Sequence, residues 1–382
     1  MPSIFGSDFG RNYPDVLQEL WTFNKGFLLL SAGLPRWTPI PSLSRAYAAR
    51  ARLVNALTSF HHAMDAYADG RDAGSDWNDI DDVSDLLKAR LAVYRTHSIP
   101  PHIRAPGDLA MLWALNANSN FLVFWLLLRI LSTSDLASRI RAEMADYIQV
   151  STPPQVFGIL EPAHLKIDEK GLATSCPLLK ACYIECLRLD SAPWSLRNVL
   201  KDFTVTESVD DALISSNDNS GGKPSTYVLK AGTYADVPWD LHFTDPRYFP
   251  EPTLYLPERH LKKPAYAANG VSVLHSERLV QQRSNATAPM SSVVDESEVD
   301  AKHRNMSAQW GTVRPYGGGS SMCKGRLFAE KEVLACVAGM LALWDFEPSD
   351  SAGWKIPPHG KATGVSMPRC DLRVRITRRR VQ

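Results

Sequence analysis

Apolar residues recur along the first two-thirds of the chain at the spacing of three and four residues that is typical of amphipathic helices. The predicted helices cover residues 14–33, 43–70, 81–97, 109–131, 132–150 and 176–190. Glycine and proline mark several of the helix ends, among them Gly70 and the pair Pro100 and Pro101. The pattern therefore predicts a mainly helical molecule.

Short alternating segments separated by turn residues replace the helical pattern from about residue 197 onward. Residues 225–238 predict a strand hairpin that turns at Ala231 and Gly232. The alternation after Gly364 predicts a terminal strand. Residues 262–309 are polar and weakly patterned, which predicts a mobile insert.

One further helix is predicted near the end of the chain, over residues 324–346. Its apolar face is expected to contain Leu327, Leu334, Val337 and Leu341, which follow the helical period. Together with the short strands, this predicts a mainly α chain with small β-sheets, of the α+β class.

Residues 109–131 are apolar over a length that could span a membrane. Asn116, Asn118, Asn120 and Arg129 interrupt the run, and amide and charged side chains are costly in lipid. The pattern favours a long buried helix with a polar notch.

The chain of 382 residues has 42 basic and 41 acidic side chains, a formal net charge of +1. Nucleic-acid binding usually needs a basic surface, so this balance argues against a nucleic-acid partner. Six cysteines occur without the spacing of a zinc site, and we expect most of them to be reduced, buried thiols.

A lone cysteine, Cys323, directly precedes the start of a predicted helix in the segment RPYGGGSSMCKGRLFAEKE, residues 314–332. A helix start offers unpaired N–H groups and a positive dipole end, and both favour a thiolate. The glycines at 317–319 allow a tight turn that a flat, bulky group could approach. These features alone would also fit an inert thiol at a helix start.

The longer pattern YGGGSSMCKGRLFA resembles the haem-thiolate loop of the cytochrome P-450 family, F-x-x-G-x-x-x-C-x-G followed by a helix. Tyr316 takes the aromatic position, Gly319 and Gly325 take the glycine positions, and Cys323 takes the ligand position. The resemblance implies that Cys323 is the axial thiolate of a haem b iron, in a loop that also includes Gly317. Such a ligand pushes electron density onto iron, which favours O–O cleavage.

Two upstream motifs extend the resemblance in the same order as in the family. Glu185 and Arg188 in YIECLRL match an E-x-x-R pair, whose spacing places both side chains on one helix face. Arg259 in PERH matches the arginine that completes the family's buried triad. The resemblance implies a structural role for these three residues.

Two arginines are implied as partners of the haem propionates, because guanidinium groups bind carboxylates in a bidentate manner. Arg197 in RLDSAPWSLR matches a propionate-binding arginine, and Arg314 precedes the loop. Ser321 stands where the family often has a basic residue, so one usual propionate contact is expected to be absent.

The notched helix resembles the family's central helix, whose acid–alcohol pair delivers protons to bound oxygen. Asn118 and Ser119 take these positions, but Asn118 cannot ionise, so proton delivery would need water or another group. The same polar residues could instead kink the helix. Trp113, Asn116 and Trp194 are candidate substrate contacts by position.

The sequence around these residues is similar to that of the family branch with sterol 7-hydroxylases and prostacyclin synthase. It implies a monooxygenase that hydroxylates a bulky apolar substrate of sterol, terpenoid or lipid type. Oxygen and electrons from NADPH-cytochrome P-450 reductase would be needed, at the cytosolic face of the endoplasmic reticulum membrane. An isomerase or dehydratase of an oxygenated lipid, and an inactive relic, stay open as alternatives.

The resemblance covers nearly the whole chain, but it begins at the family's middle helices. The expectation is one truncated cytochrome P-450 domain over residues 1–382, without the amino-terminal membrane anchor, the first sheet region and the first helices.

Overall fold

The computed structural model describes residues 2–151, 164–215, 223–262, 306–351, 353–360 and 364–379. Two compact units make up the chain, Met1–Asn118 and Ser119–Gln382. The predicted insert falls almost entirely on residues 263–305, which lie outside the described residues. The predicted single domain over 1–382 stays a prediction.

The first unit is helical throughout its regular elements. Its helices are α1 (Pro2–Phe5), α2 (Ser7–Asn12), α3 (Val16–Ser31), α4 (Pro41–Ala68), α5 (Asp85–Thr96) and α6 (Pro101–Ala117). The helices predicted over 14–33, 43–70 and 81–97 are confirmed as α3, α4 and α5.

The core of the first unit lies where α3 and α6 pack against α4. Gly26 of α3 permits a close approach, because a Cβ atom there would lie 2.3 Å from the Cβ of Ala46. The aromatic rings of Phe5, Phe9 and Phe60 pack together within this core. Isolated helices of this length are only marginally stable in water. Burial of their apolar faces in this core therefore stabilises them.

The second unit combines helices with short antiparallel strands. Its helices are α7 (Ser119–Ser132), α8 (Leu136–Met144), α9 (Glu169–Ser175), α10 (Pro177–Leu189), α11 (Val209–Ser215), α12 (Trp239–Phe243) and α13 (Arg326–Leu343). Its strands are β1 (Ile148–Ser151), β2 (His164–Ile167), β3 (Ser191–Ala192), β4 (Trp194–Asn198), β5 (Phe203–Thr206), β6 (Thr226–Leu229), β7 (Tyr234–Pro238), β8 (Leu261–Lys262), β9 (Ser307–Ala308), β10 (Trp344–Pro348), β11 (Gly364–Val365) and β12 (Val374–Arg378).

Helix α10 lies in the core of the second unit and packs against α7, α9 and α13. Its apolar residues and its charged pair are buried together, so the helix is enclosed on nearly all sides. Tyr183 of this helix, Trp125 of α7 and Val337 of α13 are fully buried. The predicted helix over 176–190 and the terminal strand are confirmed as α10 and β12.

The predicted hairpin over residues 225–238 is wrong in its pairing. Both strands and the turn at Gly232 (φ +82°) form, but β6 pairs with β5 and β7 pairs with β4. The two ladders keep one register, because Val199 and Thr233 are bonded between them at 2.9 Å. They form one long ribbon, since strand alternation along the chain does not specify the partner.

Two further details differ from the predicted pattern. The helix predicted over 132–150 ends at Met144, and β1 follows and pairs with β2. Leu327 is 65% exposed, whereas Leu334 and Val337 are buried. The first turn of α13 lies outside the core, because the loop that precedes it is at the surface.

The helix predicted over 109–131 is divided in two at its polar notch, which agrees with the alternative that the polar residues kink the helix. Helix α6 ends at Ala117, α7 begins at Ser119, and Asn118 lies between them with φ −114°. Among the described residues, Pro101–Ser132 is the one segment long and apolar enough to cross a membrane, with 44% of its most apolar window buried. Core helices of water-soluble proteins pass the same test.

Candidate functional site

Cys323 lies at the end of a closed glycine-rich loop. Its backbone N–H donates to the carbonyl oxygen of Tyr316 at 3.0 Å, and the N–H of Gly317 donates to Arg314 at 3.1 Å. Gly317 and Gly319 have φ values of +71° and +67°, which glycine adopts without the strain that a side chain would cause. The sequence therefore folds into a loop that returns the backbone to Tyr316 at the position of the cysteine.

The loop leads directly into α13. Gly325 is the residue before the helix, and its carbonyl oxygen accepts the N–H of Ala329 at 2.8 Å. A Cβ atom at Gly325 would lie 3.9 Å from the Sγ of Cys323, whereas Cβ atoms at Gly318 and Gly319 would meet nothing within 4 Å. The glycine loop therefore borders open space, and the Cys323 residue is exposed.

Strand β4 lies beside the loop. A Cβ atom at Gly317 would be 3.6 Å from the Oγ of Ser195, and that hydroxyl accepts a hydrogen bond from Trp239 Nε1 at 3.0 Å. Side chains two residues apart in a strand share a face, so Arg197 lies on the same face as Ser195. Trp194 lies on the opposite face and is 70% exposed.

The two predicted propionate partners differ in their surroundings. Arg197 is exposed and donates to the neighbouring Leu196 carbonyl oxygen at 2.8 Å. Arg314 donates to the carbonyl oxygens of Gly311 at 2.7 Å and Val313 at 3.0 Å, within its own turn. Within the described part of the chain Arg197 forms no ion pair with a side-chain carboxylate, and it lies on the strand face that borders the loop.

Apolar side chains continue the surface at the start of α13. Leu327 and Phe328 are exposed, although both directly follow the loop and its glycine. The described residues contain no group of three or more His, Cys, Asp or Glu side chains that could hold a metal ion. A metal bound by Cys323 would therefore have to bring its other ligands with it, as the iron of a porphyrin does. An exposed thiol, an open glycine surface, apolar neighbours and a nearby guanidinium fit a flat, apolar, metal-containing group with an anionic edge.

A buried charge cluster supports the helix that lies beneath this loop. Glu185 is fully buried and accepts two hydrogen bonds from Arg188, at 2.7 and 2.9 Å, and one from Arg259 at 3.1 Å. Burial disfavours the carboxylate, but the hydrogen bonds from Arg188 and His260 outweigh it and lower the pKa of Glu185 to about 2. The structure thus brings together the three predicted triad residues.

The same cluster holds the segment that follows α12. Arg188 donates to the backbone carbonyl oxygens of Phe243, Pro252 and Leu254, so one guanidinium group anchors three points of an irregular chain. His260 Nε2 lies 2.8 Å from Glu185 Oε2, a partner that sequence reasoning missed. Its only signal was its position directly after the arginine in PERH.

The residues predicted for the oxygen side of the site lie at the interruption of the central segment. Asn118 follows the last residue of α6, and Ser119 is the first residue of α7. Asn116 donates to the carbonyl oxygen of Leu112 at 2.8 Å, one helical turn earlier. Their predicted roles toward oxygen and substrate stay predictions.

Trp113, a predicted substrate contact, takes part in the packing of the first unit. Its Nε1 donates to Asn24 Oδ1 at 2.8 Å, and its ring stacks on Phe27 with 4.1 Å between ring centroids. These contacts give the residue a structural role, and a role toward substrate stays a prediction.

Comparisons with known proteins agree on one family. No family model matches the chain. The chain is 25% identical over 365 residues to a cytochrome P-450 monooxygenase from Hormonema carpetanum, covering 94% of this chain and 58% of that protein. It is 26% identical over 378 residues to cholesterol 7-alpha-monooxygenase from Cricetulus griseus, covering 93% and 58%. A retinoic acid-bound cyanobacterial cytochrome P-450 superimposes with a TM-score of 0.56 at 16% identity, covering 98% of this chain and 66% of that structure.

The chain is thus similar in sequence to cytochromes P-450 over most of its length, and it has their fold. The predicted family and the predicted α+β fold class are confirmed. The chain spans a little over half the length of the curated relatives that it matches. The likeness to this family and the fold imply a haem iron.

Proposed function

We propose that this chain forms the haem-binding part of a haem-thiolate monooxygenase, with the Cys323 thiolate as axial ligand of haem b. The observation that carries the proposal is the exposed Cys323 at the end of a closed glycine loop, beside the strand face that bears Arg197. When bound, haem supplies oxygen activation, and the protein contributes binding and orientation.

Several residues of the chain would hold the group. The Tyr316, Gly317 and Gly325 positions shape the loop so that a flat group can lie against it. Arg197, and with it Arg314, would bind the propionate carboxylates through charge-assisted hydrogen bonds. The exposed side chains of Leu327 and Phe328, which directly follow the loop, would exclude water near the thiolate.

The proposed substrate is a bulky, apolar small molecule of sterol, terpenoid or lipid type. One relative is named for an activity on cholesterol, which supports this class. Trp113, Asn116 and Trp194 are the proposed substrate contacts. Electrons would come from NADPH-cytochrome P-450 reductase, with the complete protein at the cytosolic face of the endoplasmic reticulum membrane.

The oxygen side of the site is proposed to use Asn118 and Ser119. The Ser119 hydroxyl can donate and accept a proton, but Asn118 cannot supply one because an amide does not ionise at ordinary pH. Asn118 therefore favours a second candidate function, an isomerase or dehydratase of an oxygenated lipid that needs haem but no reductase. Turnover that requires NADPH and reductase supports monooxygenation, and turnover without them supports the second candidate.

The primary test is the difference spectrum of the full chain after haem supplementation, reduction and exposure to carbon monoxide. Thiolate ligation predicts a red-shifted Soret band that is lost in Cys323→Ala. Cys370→Ala is the matched control, because Cys370 is also an exposed cysteine and should leave the band unchanged. Absence of the red-shifted band, or its persistence in Cys323→Ala, would contradict the proposal and leave the inactive form as the better description.

A further inference from the structure

Two phenols, the fully buried Tyr183 and the partly buried Tyr316, join the cysteine loop to α10. The Tyr316 side chain packs against the core of the second unit, and its hydroxyl contacts the hydroxyl of Tyr183 on α10. Burial raises the pKa of both phenols, so both stay neutral, and one hydroxyl donates to the other. Trp310 flanks both rings, with centroid distances of 6.1 Å to Tyr183 and 6.0 Å to Tyr316.

A second polar contact joins α10 to α13, the helix that follows the loop. Lys180 of α10 lies one helical turn before Tyr183 and therefore shares its face. Its Nζ lies 2.7 Å from Glu330 Oε1, and Glu330 belongs to the helix that begins just after Cys323. The side chains of Lys180 and Glu330 are 24% and 12% exposed, so this ion pair is largely shielded from water.

The loop is coupled to this cluster through its backbone. The carbonyl oxygen of Tyr316 accepts the N–H of Cys323, so any displacement of the Tyr316 main chain moves the cysteine as well. The family pattern has phenylalanine at this position, which would fill the same space but leave the Tyr183 hydroxyl without its partner. A buried hydroxyl that loses its partner is costly, whereas loss of both hydroxyls together is nearly neutral.

We propose that the Tyr183–Tyr316 hydroxyl pair, supported by the Lys180–Glu330 ion pair, is a positioning device that fixes Cys323 against α10. The inference rests on the proposed function, because it concerns the residue proposed to hold the iron. Tyr183 and Tyr316 act on the Cys323 thiolate through the loop and contact neither substrate nor iron. A role restricted to global stability is the alternative that the test has to separate.

The first arm of the test uses the full chain without haem. Tyr316→Phe, Tyr183→Phe and the double variant are compared by hydrogen exchange at the Cys323 amide and by the alkylation rate of Cys323. The alkylation experiment uses a Cys336→Ser, Cys370→Ser background, because these two cysteines are also exposed. Each single variant is expected to raise both rates about 5- to 30-fold, the factor that the loss of one buried partner typically produces. The double variant should return to within about threefold of the parent, since no hydroxyl is then left unpaired.

Tyr255→Phe is the matched control. The Tyr255 hydroxyl donates to the carbonyl oxygen of Cys182 at 3.0 Å, so its removal also breaks a hydrogen bond to α10, at the residue next to Tyr183, but none to the loop that contains Cys323. We expect this variant to lower the unfolding temperature without changing either rate at Cys323. Equal increases in Tyr255→Phe and the two single variants would overturn the proposal, as would single variants with unchanged rates.

The second arm measures haem release from the supplemented chain. Each single variant should release haem faster by about the same factor as in the first arm, and the double variant should recover, as expected for coupled partners. If the parent chain binds no haem, the proposed function fails while the first arm still decides whether the pair positions the loop. If hydrogen exchange and alkylation at Cys323 become faster but haem release is unchanged, the tyrosine pair orders the loop without positioning the iron ligand. That result would overturn the inference.

Discussion

Glu185→Gln removes the one negative charge on which Arg188, Arg259 and His260 converge. Glu185 and Arg188 are both fully buried, so the substitution leaves an arginine charge in the core without its carboxylate. Glutamine has nearly the same shape, so the loss is electrostatic and does not create a cavity. We expect the variant to fold less stably and to hold the segment after α12 less firmly.

Two independent estimates give the size of the effect. Lowering of the Glu185 pKa from 4.5 to about 2 corresponds, at 1.36 kcal/mol per pKa unit, to about 3 kcal/mol at neutral pH. Removal of one partner from a buried ion pair typically costs about 3–5 kcal/mol. Because glutamine keeps an oxygen acceptor, the lower value is the expectation, a decrease of about 3 kcal/mol in the free energy of unfolding.

The pH dependence follows from the sign of the change in pKa. The pKa of Glu185 is lower in the folded state than in the unfolded state, so its stabilisation is complete above the unfolded pKa of 4.5. It is lost progressively as the pH falls toward about 2. The difference between the parent chain and Glu185→Gln should therefore be largest at neutral pH and should shrink below pH 4.5.

Urea unfolding followed by circular dichroism at several pH values measures both quantities. Asp350→Asn is the matched control, because Asp350 forms an ion pair with Lys355 in which the two side chains are 55% and 64% exposed. Such a pair contributes at most about 1 kcal/mol. A Glu185→Gln effect no larger than that of the control, or one that does not depend on pH, would refute this account of the cluster.

Two further predictions concern other buried contacts. Burial raises the pKa of Glu143 to about 7, although its carboxylate accepts the N–H groups of Leu178 and Leu179 at 2.8 and 2.9 Å. Because the folded state then holds an extra proton between pH 4.5 and about 7, stability should fall as the pH rises through this range, and Glu143→Gln should remove that slope in urea unfolding. Trp113→Phe should lower the free energy of unfolding by about 1 kcal/mol through loss of the hydrogen bond to Asn24, measured by thermal unfolding, and an unchanged stability would contradict a structural role.

Local features of the structure could be predicted from the sequence. The apolar period located α3, α4, α10 and α13, because a helix buries one face at a spacing that its own residues contain. The E-x-x-R spacing placed Glu185 and Arg188 on one face of α10, where they bond. The glycine pattern around Cys323 predicted a tight loop, since positive φ values are accessible mainly to glycine.

Contacts between residues far apart along the chain could not be predicted from the local sequence pattern. Tyr183 and Tyr316 are separated by 133 positions, and His260 and Glu185 by 75, yet each pair is in contact. The strands of the ribbon were recognisable, but alternation says which face a residue occupies and not which strand lies beside it. Chain folding decides these contacts, because packing of the whole core selects among many locally equivalent pairings. The chemistry of the cysteine loop is thus encoded locally, whereas the interior contacts that hold the loop in place exist only in the folded molecule.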